Sequence, residues 1–295
     1  MMIKGTAELL LDTNAVLGEG PVWDWKKQQL FWVDIEGTKL HRYDPKDGKH
    51  RFWDFEQMIG AAVPDENGTF LLAMESGLAT FDPDSGKLAE LPVLQNSNTA
   101  MRYNDGKVDP QGRFWIGSMH KQVAPETGAF YCVDADWNVS EQISKTTISN
   151  GMAWTSDQRW FYYIDTANYE VWRFTFHPET GDISNKEVAF SVPKSYGGPD
   201  GMCIDSHDML WIAHWGGHCV RRWDPNTGSV LEQVTVPAPH VTSCCFGGEH
   251  LDTLYITTAK SGLDNTQRTA YPKSGGLFTY VPKTGGTPIH YFKKS

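Results

Sequence analysis

A Pro-x-x-Gly turn recurs five times along the 295 residues, and no other feature limits the fold so tightly. The copies are DPKDG (44–48), DPDSG (82–86), HPETG (177–181), DPNTG (224–228) and VPKTG (281–285). Their prolines stand 38, 95, 47 and 57 residues apart. The double-length gap holds a degenerate copy, VDADWN (133–138). Six units of about 49 residues result, within the size range of propeller blades.

Each unit repeats one pattern. A short segment carrying or ending near a glycine opens it: GEGPVWD, IGAAVPD, NDGKVDP, SNGMAWT, PDGMCID and TSCCFGG. A polar turn follows, then an apolar run (LFWVDI, TFLLAM, RFWIGSM, WFYYID, MLWIAH, TLYITT), and a third run leads into the Pro-x-x-Gly turn. Short runs rich in aromatic and β-branched residues, bounded by turn formers, predict antiparallel sheet. No stretch sustains an apolar period of 3.6, so little helix is expected. Six such units suit radial closure, which leaves only short, protected edges. The expected fold is all-β, a six-bladed β-propeller formed as a single domain over residues 1–295. The N-terminal AELLLD (7–12) is expected to add a strand to the last unit.

Composition narrows the function. The formal charge is −10 and no Lys/Arg run exceeds two residues, so the clustered cations that nucleic-acid binding needs are missing. No apolar stretch approaches the roughly 18 residues of a membrane span. The N-terminal residues lack the apolar core and cleavage site of a signal peptide. Five cysteines (Cys132, Cys203, Cys219, Cys244, Cys245) show no CxxC spacing and read as reduced core thiols of a cytoplasmic protein. Oligomeric state is not legible.

In a propeller, the first strand of each blade lines the channel, so equivalent residues form a ring. Preceding the early glycine of each unit, or its counterpart, stand Glu19, Ile59, Asp105, Asn150, Asp200 and Ser243. A single Asp-Gly or Asn-Gly pair is an ordinary turn former; four oxygen-bearing residues at equivalent positions point to a shared polar site. Carboxylates converging in a channel repel one another unless a cation neutralises them. Glu19, Asn150 and Asp200 supply hard oxygen ligands with two negative charges, which suits one divalent ion. Ca²⁺ is favoured, with Mg²⁺, Mn²⁺, Fe²⁺ and Zn²⁺ open. Three protein ligands leave positions for water and substrate.

Four motifs carry a family resemblance: Leu17-Gly18-Glu19-Gly20-Pro21-Val22-Trp23, Arg102-Tyr103-Asn104-Asp105-Gly106-Lys107-Val108-Asp109, Ser149-Asn150-Gly151-Met152-Ala153 and Pro199-Asp200-Gly201-Met202. In order and spacing they resemble the SMP-30/gluconolactonase (regucalcin-like) family, and Pro-Ala-Pro-His-Val-Thr (237–242) and Thr-Thr-Ala-Lys (257–260) resemble its bacterial sugar-lactonase branch. The resemblance implies a metal-dependent lactonase that opens a sugar (aldono-) lactone to its acid in carbohydrate catabolism. It selects Glu19, Asn150 and Asp200 over Asp105 as metal ligands, makes Asp200 the favoured general base, and gives Arg102 and Asn104 to the substrate. One departure stands out: Met119 is followed by His120-Lys121-Gln122, where mammalian members carry a Glu pair.

Other residues invite weaker readings. His120, His214 and His218 are candidates for the pocket wall or for a rim without a role, and Lys260 for a product contact or an exposed cation. No Gly-x-Ser-x-Gly motif is present, which disfavours a serine nucleophile. The rival functions are a phosphotriesterase-like or promiscuous esterase, and a non-catalytic Ca²⁺-binding propeller.

Overall fold

The computed structural model describes residues 2–295. Its regular secondary structure is almost wholly strand, and the one α-helix among the described residues, Asn265–Ala270, is six residues long. Among the described residues no helix is long and apolar enough to cross a membrane.

The chain folds as successive four-stranded meanders, each pairing its strands in sequence order. The first sheet runs Gly18–Asp24, Gln29–Asp34, Lys39–Asp44 and Lys49–Asp54. The next three open with Ile59–Pro64, Met101–Val108 and Ser149–Trp154. The remaining strands form one nine-stranded sheet made of two further meanders, opened by Gly198–Ile204 and His240–Gly247. A single bridge between Trp215 and His240 joins these two. The last meander takes only three strands from its own stretch of chain. Its fourth is Glu8–Leu11, antiparallel to Leu277–Tyr280, where the sequence placed an added strand. Ile3–Thr6 lies parallel against Ser229–Thr235.

The repeated turn falls between third and fourth strands, as at Asp44 to Lys49 and Asp224 to Ser229. Three of the five copies are braced by their aspartate: the Asp44, Asp82 and Asp224 carboxylates each accept a backbone N–H two residues on, at 2.9 Å. The glycine ends in the left-handed region, φ 67° at both Gly48 and Gly228, where a side chain is strained. The degenerate copy works in the same way, with Asp134 accepting from Asp136 N at 2.9 Å.

Second strands are buried on both faces, which is why LFWVD reads as a continuous apolar run rather than alternating. Leu30 and Trp32 pack toward one neighbouring sheet, Phe31 and Val33 toward the other. Each apolar cluster joins consecutive sheets, and the last one packs Cys245, Tyr255 and Leu277 onto Trp23, Leu30 and Trp32 of the first. The packing is therefore cyclic. First strands are the innermost and buried, while fourth strands are largely exposed.

An aspartate closing several first strands ties each hairpin down. Asp109 accepts from the Gln111 and Arg113 backbones, from Arg113 Nε at 2.6 Å and from Trp115 Nε1 at 2.9 Å. Asp205 does the same with Trp211 Nε1 at 2.9 Å and Arg222 Nε at 2.6 Å. At the C-terminal ends of the inner strands lies a cavity of about 100 Å³, lined by residues including Lys107, Cys203 and Cys245. Residues 287–290 cover it, held by Phe292 N to Pro64 O at 3.0 Å and Tyr291 OH to Asp24 Oδ1 at 2.6 Å.

Candidate active site

Every inner strand breaks register against its neighbour at one place. The breaks lie between Glu19 and Val22, Ile59 and Ala61, Tyr103 and Gly106, Ser149 and Met152, Pro199 and Met202, and Val241 and Ser243. A bulge leaves residues unpaired, bends the strand and re-aims its side chains. The residues released are Gly20-Pro21, Gly60, Asn104-Asp105, Asn150-Gly151, Asp200-Gly201 and Thr242. The polar candidates thus sit at or beside bulges.

The sixth strand departs from the sequence alignment. Its bulge falls on Thr242 rather than Ser243, and the Thr242 hydroxyl donates to Gly18 O at 2.6 Å. It braces the strand that carries Glu19.

Neighbouring inner strands touch backbone to backbone at this level. A Cβ on Gly151 would lie 2.7 Å from Asp200 O and 2.8 Å from Met202 N. Only glycine lets the fourth and fifth strands bring Asn150 and Asp200 so close.

Glu19, Arg102, Asn104, Asp105, Asn150 and Asp200 are each at most 9% exposed. Arg102 Nη1 donates to Asn104 Oδ1 at 2.6 Å and to Tyr103 O at 3.0 Å. Asn104 Nδ2 donates to Ser149 O at 2.7 Å and to Asn150 Oδ1 at 3.2 Å. Asn150 Nδ2 donates to Thr166 Oγ1 at 2.8 Å. Glu19 Oε2 accepts from Gly20 N at 2.8 Å.

Electrostatics bind the acidic members together. Burial, then the charge of Asp105, pushes the Glu19 carboxyl up to about 8. Burial, then Glu19 and Asp105, raises Asp200 well above the usual carboxylate range. Asp105 is raised mainly by burial, with Lys107 opposing. Arg102 is held down by burial and propped up by Glu19, Glu36, Asp200 and Glu75. Three buried carboxyls with one buried guanidinium leave a deficit of positive charge.

That deficit is the test of a metal, and the donor set meets it. Glu19 and Asp200 are carboxylates in need of a cation, and Asn150 spends its amide N–H on Thr166, which leaves Oδ1 as an oxygen donor. Among the described residues no group of three or more His, Cys, Asp or Glu side chains is arranged to hold a metal; the set here is two carboxylates and an amide. Imidazole and thiolate stay out of it. His214, a candidate for the pocket wall, is wholly buried beside Trp223 with neither ring nitrogen bonded, because its strand turns it into the packing between sheets. Its pKa is lowered to about 3 by burial. All five cysteines are free and buried.

The remaining candidates are engaged in other contacts. Lys121, one residue after His120, pairs with Glu75. His120 Nδ1 accepts from Gln122 N at 3.0 Å. His218 packs on Tyr271 with ring centroids 5.0 Å apart. Lys260 is bonded through its backbone to Val16 O. Thr166 escaped the sequence reading because it lies in a connecting turn outside the repeat.

Comparison with known proteins agrees over nearly the full length. Residues 17–260 match the model of the SMP-30/Gluconolactonase/LRE-like region. A Bacillus subtilis (strain 168) protein named as a candidate sugar lactone lactonase, YvrE, is 36% identical over 280 residues, covering 95% of this chain and 96% of that one. Regucalcin of Danio rerio is 37% identical over 274 residues, 92% of each chain. The crystal structure of a calcium-binding protein, regucalcin, from Agrobacterium tumefaciens superposes with a TM-score of 0.93 at 26% identity, covering 99% of both chains.

Proposed function

The chain belongs to the SMP-30/gluconolactonase/LRE-like family, and on that premise we propose that it hydrolyses a sugar lactone to its aldonic acid with the help of one divalent cation. The cyclic packing of the sheets supports reading the 295 residues as one six-bladed propeller domain. The free thiols support a reducing, cytoplasmic setting. The observation that carries the function is the meeting of Glu19, Asn150, Asp200 and Arg102 in one buried set.

Glu19, Asn150 and Asp200 would hold the cation, with Ca²⁺ favoured by an all-oxygen donor set. Such an ion supplies Lewis acidity and charge neutralisation in the site. Asp200, as carboxylate, takes a proton from the water that adds to the lactone carbonyl carbon. The ring C–O bond then breaks and the departing ring oxygen takes up a proton. Arg102 uses Nη1 on Asn104 and Tyr103, which leaves Nη2 and Nε to donate to the substrate. Asn104 spends both ends of its amide on protein groups, so its part is to hold Arg102 and Asn150 together.

The test is pH-indicator hydrolysis of pentono- and hexono-lactones by chelated protein, repeated with each of Ca²⁺, Mg²⁺, Mn²⁺, Fe²⁺ and Zn²⁺. Opening of at least one lactone, lost on chelation and restored by a cation, is expected. A cation that raises the melting temperature but never accelerates opening of any lactone would overturn the enzymatic reading in favour of a binding protein.

A further inference from the structure

Thr166 lies in the short turn Thr166–Asn168, directly after the second strand of the fourth sheet and off the inner ring. Its hydroxyl accepts from Asn150 Nδ2 at 2.8 Å and donates to Pro199 O at 2.7 Å. A hydroxyl has one proton, and a carbonyl oxygen can only accept. The proton is therefore committed to Pro199, and Thr166 can meet Asn150 only as an acceptor. That puts the Asn150 amide nitrogen on the Thr166 side and turns Oδ1 away.

The other end of the chain of bonds has an equally fixed direction. A guanidinium can only donate, so Arg102 Nη1 must face Asn104 Oδ1. Asn104 is left with Nδ2 for Ser149 O and Asn150 Oδ1. The run Arg102, Asn104, Asn150, Thr166, Pro199 is thus polarised from a pure donor to a pure acceptor. Flipping either amide would set donor against donor and acceptor against acceptor, which is costly for buried groups.

We propose that Thr166 is a positioning residue for the metal centre: it locks the Asn150 amide with Oδ1 presented as an oxygen ligand. The same hydroxyl holds the backbone of Pro199, next to Asp200, so one side chain ties two of the three ligands to each other. The role rests on reading Asn150 as a ligand.

Calcium titration of chelated protein by calorimetry separates the two ideas. Thr166→Val, which keeps the shape and loses the hydroxyl, should weaken binding about 10- to 100-fold, the usual cost of removing a group that orients a metal ligand. Thr166→Ser should bind as the parent does. In an Asn150→Asp background, where a carboxylate presents oxygen whichever way it turns, Thr166→Val should cost clearly less, since only the hold on Pro199 is then lost. Equal losses in both backgrounds would mean a merely structural role and overturn the proposal. Parental affinity in Thr166→Val would overturn it as well, leaving the metal reading intact. A parent protein that takes up none of the divalent cations would sink the metal reading and the proposal with it.

Discussion

Glu19 and Asp200 belong to one buried set although one enters from the first sheet and the other from the fifth, and the Glu19 charge adds to the effect of burial on the Asp200 carboxyl. Without a cation, the arrangement favours keeping protons on both groups. A cation reverses that preference, so its binding is expected to release protons near neutrality.

The pH dependence of stability follows in sign. Glu19 binds its proton up to about 8 when folded, against 4.5 as its ordinary value. The stability it contributes is full below pH 4.5 and is lost as pH rises through about 8. Asp200 acts in the same direction. His41 and His214, both lowered to about 3 by burial, have the opposite sign and lose stability as pH falls below 6.5. Above pH 6.5 the histidine effect fades and the carboxyls dominate until the buried cysteine thiols, raised by burial from 9.0, enter at higher pH. The melting temperature of chelated protein should fall between pH 6.5 and 8.5, and Glu19→Gln or saturating Ca²⁺ should flatten that fall. A flat profile for the chelated parent would contradict the burial of these groups.

Asp200→Asn keeps size and burial while removing the base and a ligand charge. Lactone opening is expected to drop about 100-fold or more, measured as the initial rate at saturating cation. Glu19→Gln should act chiefly through cation affinity, so excess cation should recover part of its rate but little of the Asp200→Asn rate. A full rate in Asp200→Asn would remove that carboxyl from the chemistry.

Gly151→Ala tests the close approach of the fourth and fifth inner strands. The added methyl would meet Asp200 O at 2.7 Å and Met202 N at 2.8 Å, backbone atoms that cannot swing aside. A destabilisation of about 1–3 kcal/mol is expected from overpacking, together with weaker cation binding, because the displaced strands carry Asn150 and Asp200. Urea unfolding and calcium titration give the two numbers.

Asp109→Ala should separate stability from function. It strips the partner from buried Arg113 and from Trp115 Nε1, a loss of about 3–5 kcal/mol by analogy with broken buried ion pairs. Cation affinity of the folded fraction should be unchanged, since Asp109 closes the hairpin beyond the bulge.

The features legible in the sequence are those that repeat. The Asp-Pro-x-x-Gly turns, the aromatic second strands and the oxygen-bearing bulge residues recur because each sheet solves the same local problem. Glu8–Leu11 was also readable, since a sheet short of one strand needs an edge partner. The bulge on Thr242 was not, because a single-residue offset in TSCCFGG leaves the apolar pattern almost unchanged. Thr166 carried no signal, since its role depends on a proton count across two strands. The covering segment 287–290 has no counterpart in other units, so no alignment of repeats could announce it.

The strand Glu8–Leu11 precedes every meander in the sequence, yet it completes the sheet of His240–Gly247, Thr253–Ala259 and Leu277–Tyr280, which follows the other five. A ribosome-bound chain must carry that strand unpaired until Leu277–Tyr280 emerges. Ring closure therefore depends on a pairing between strands far apart in sequence, and such long-range contacts form slowly. Until that moment, every earlier sheet is packed against at most two neighbours and the channel has a seam. A chain permuted to begin near Ser97 would make the shared sheet from continuous sequence and move the seam elsewhere in the ring.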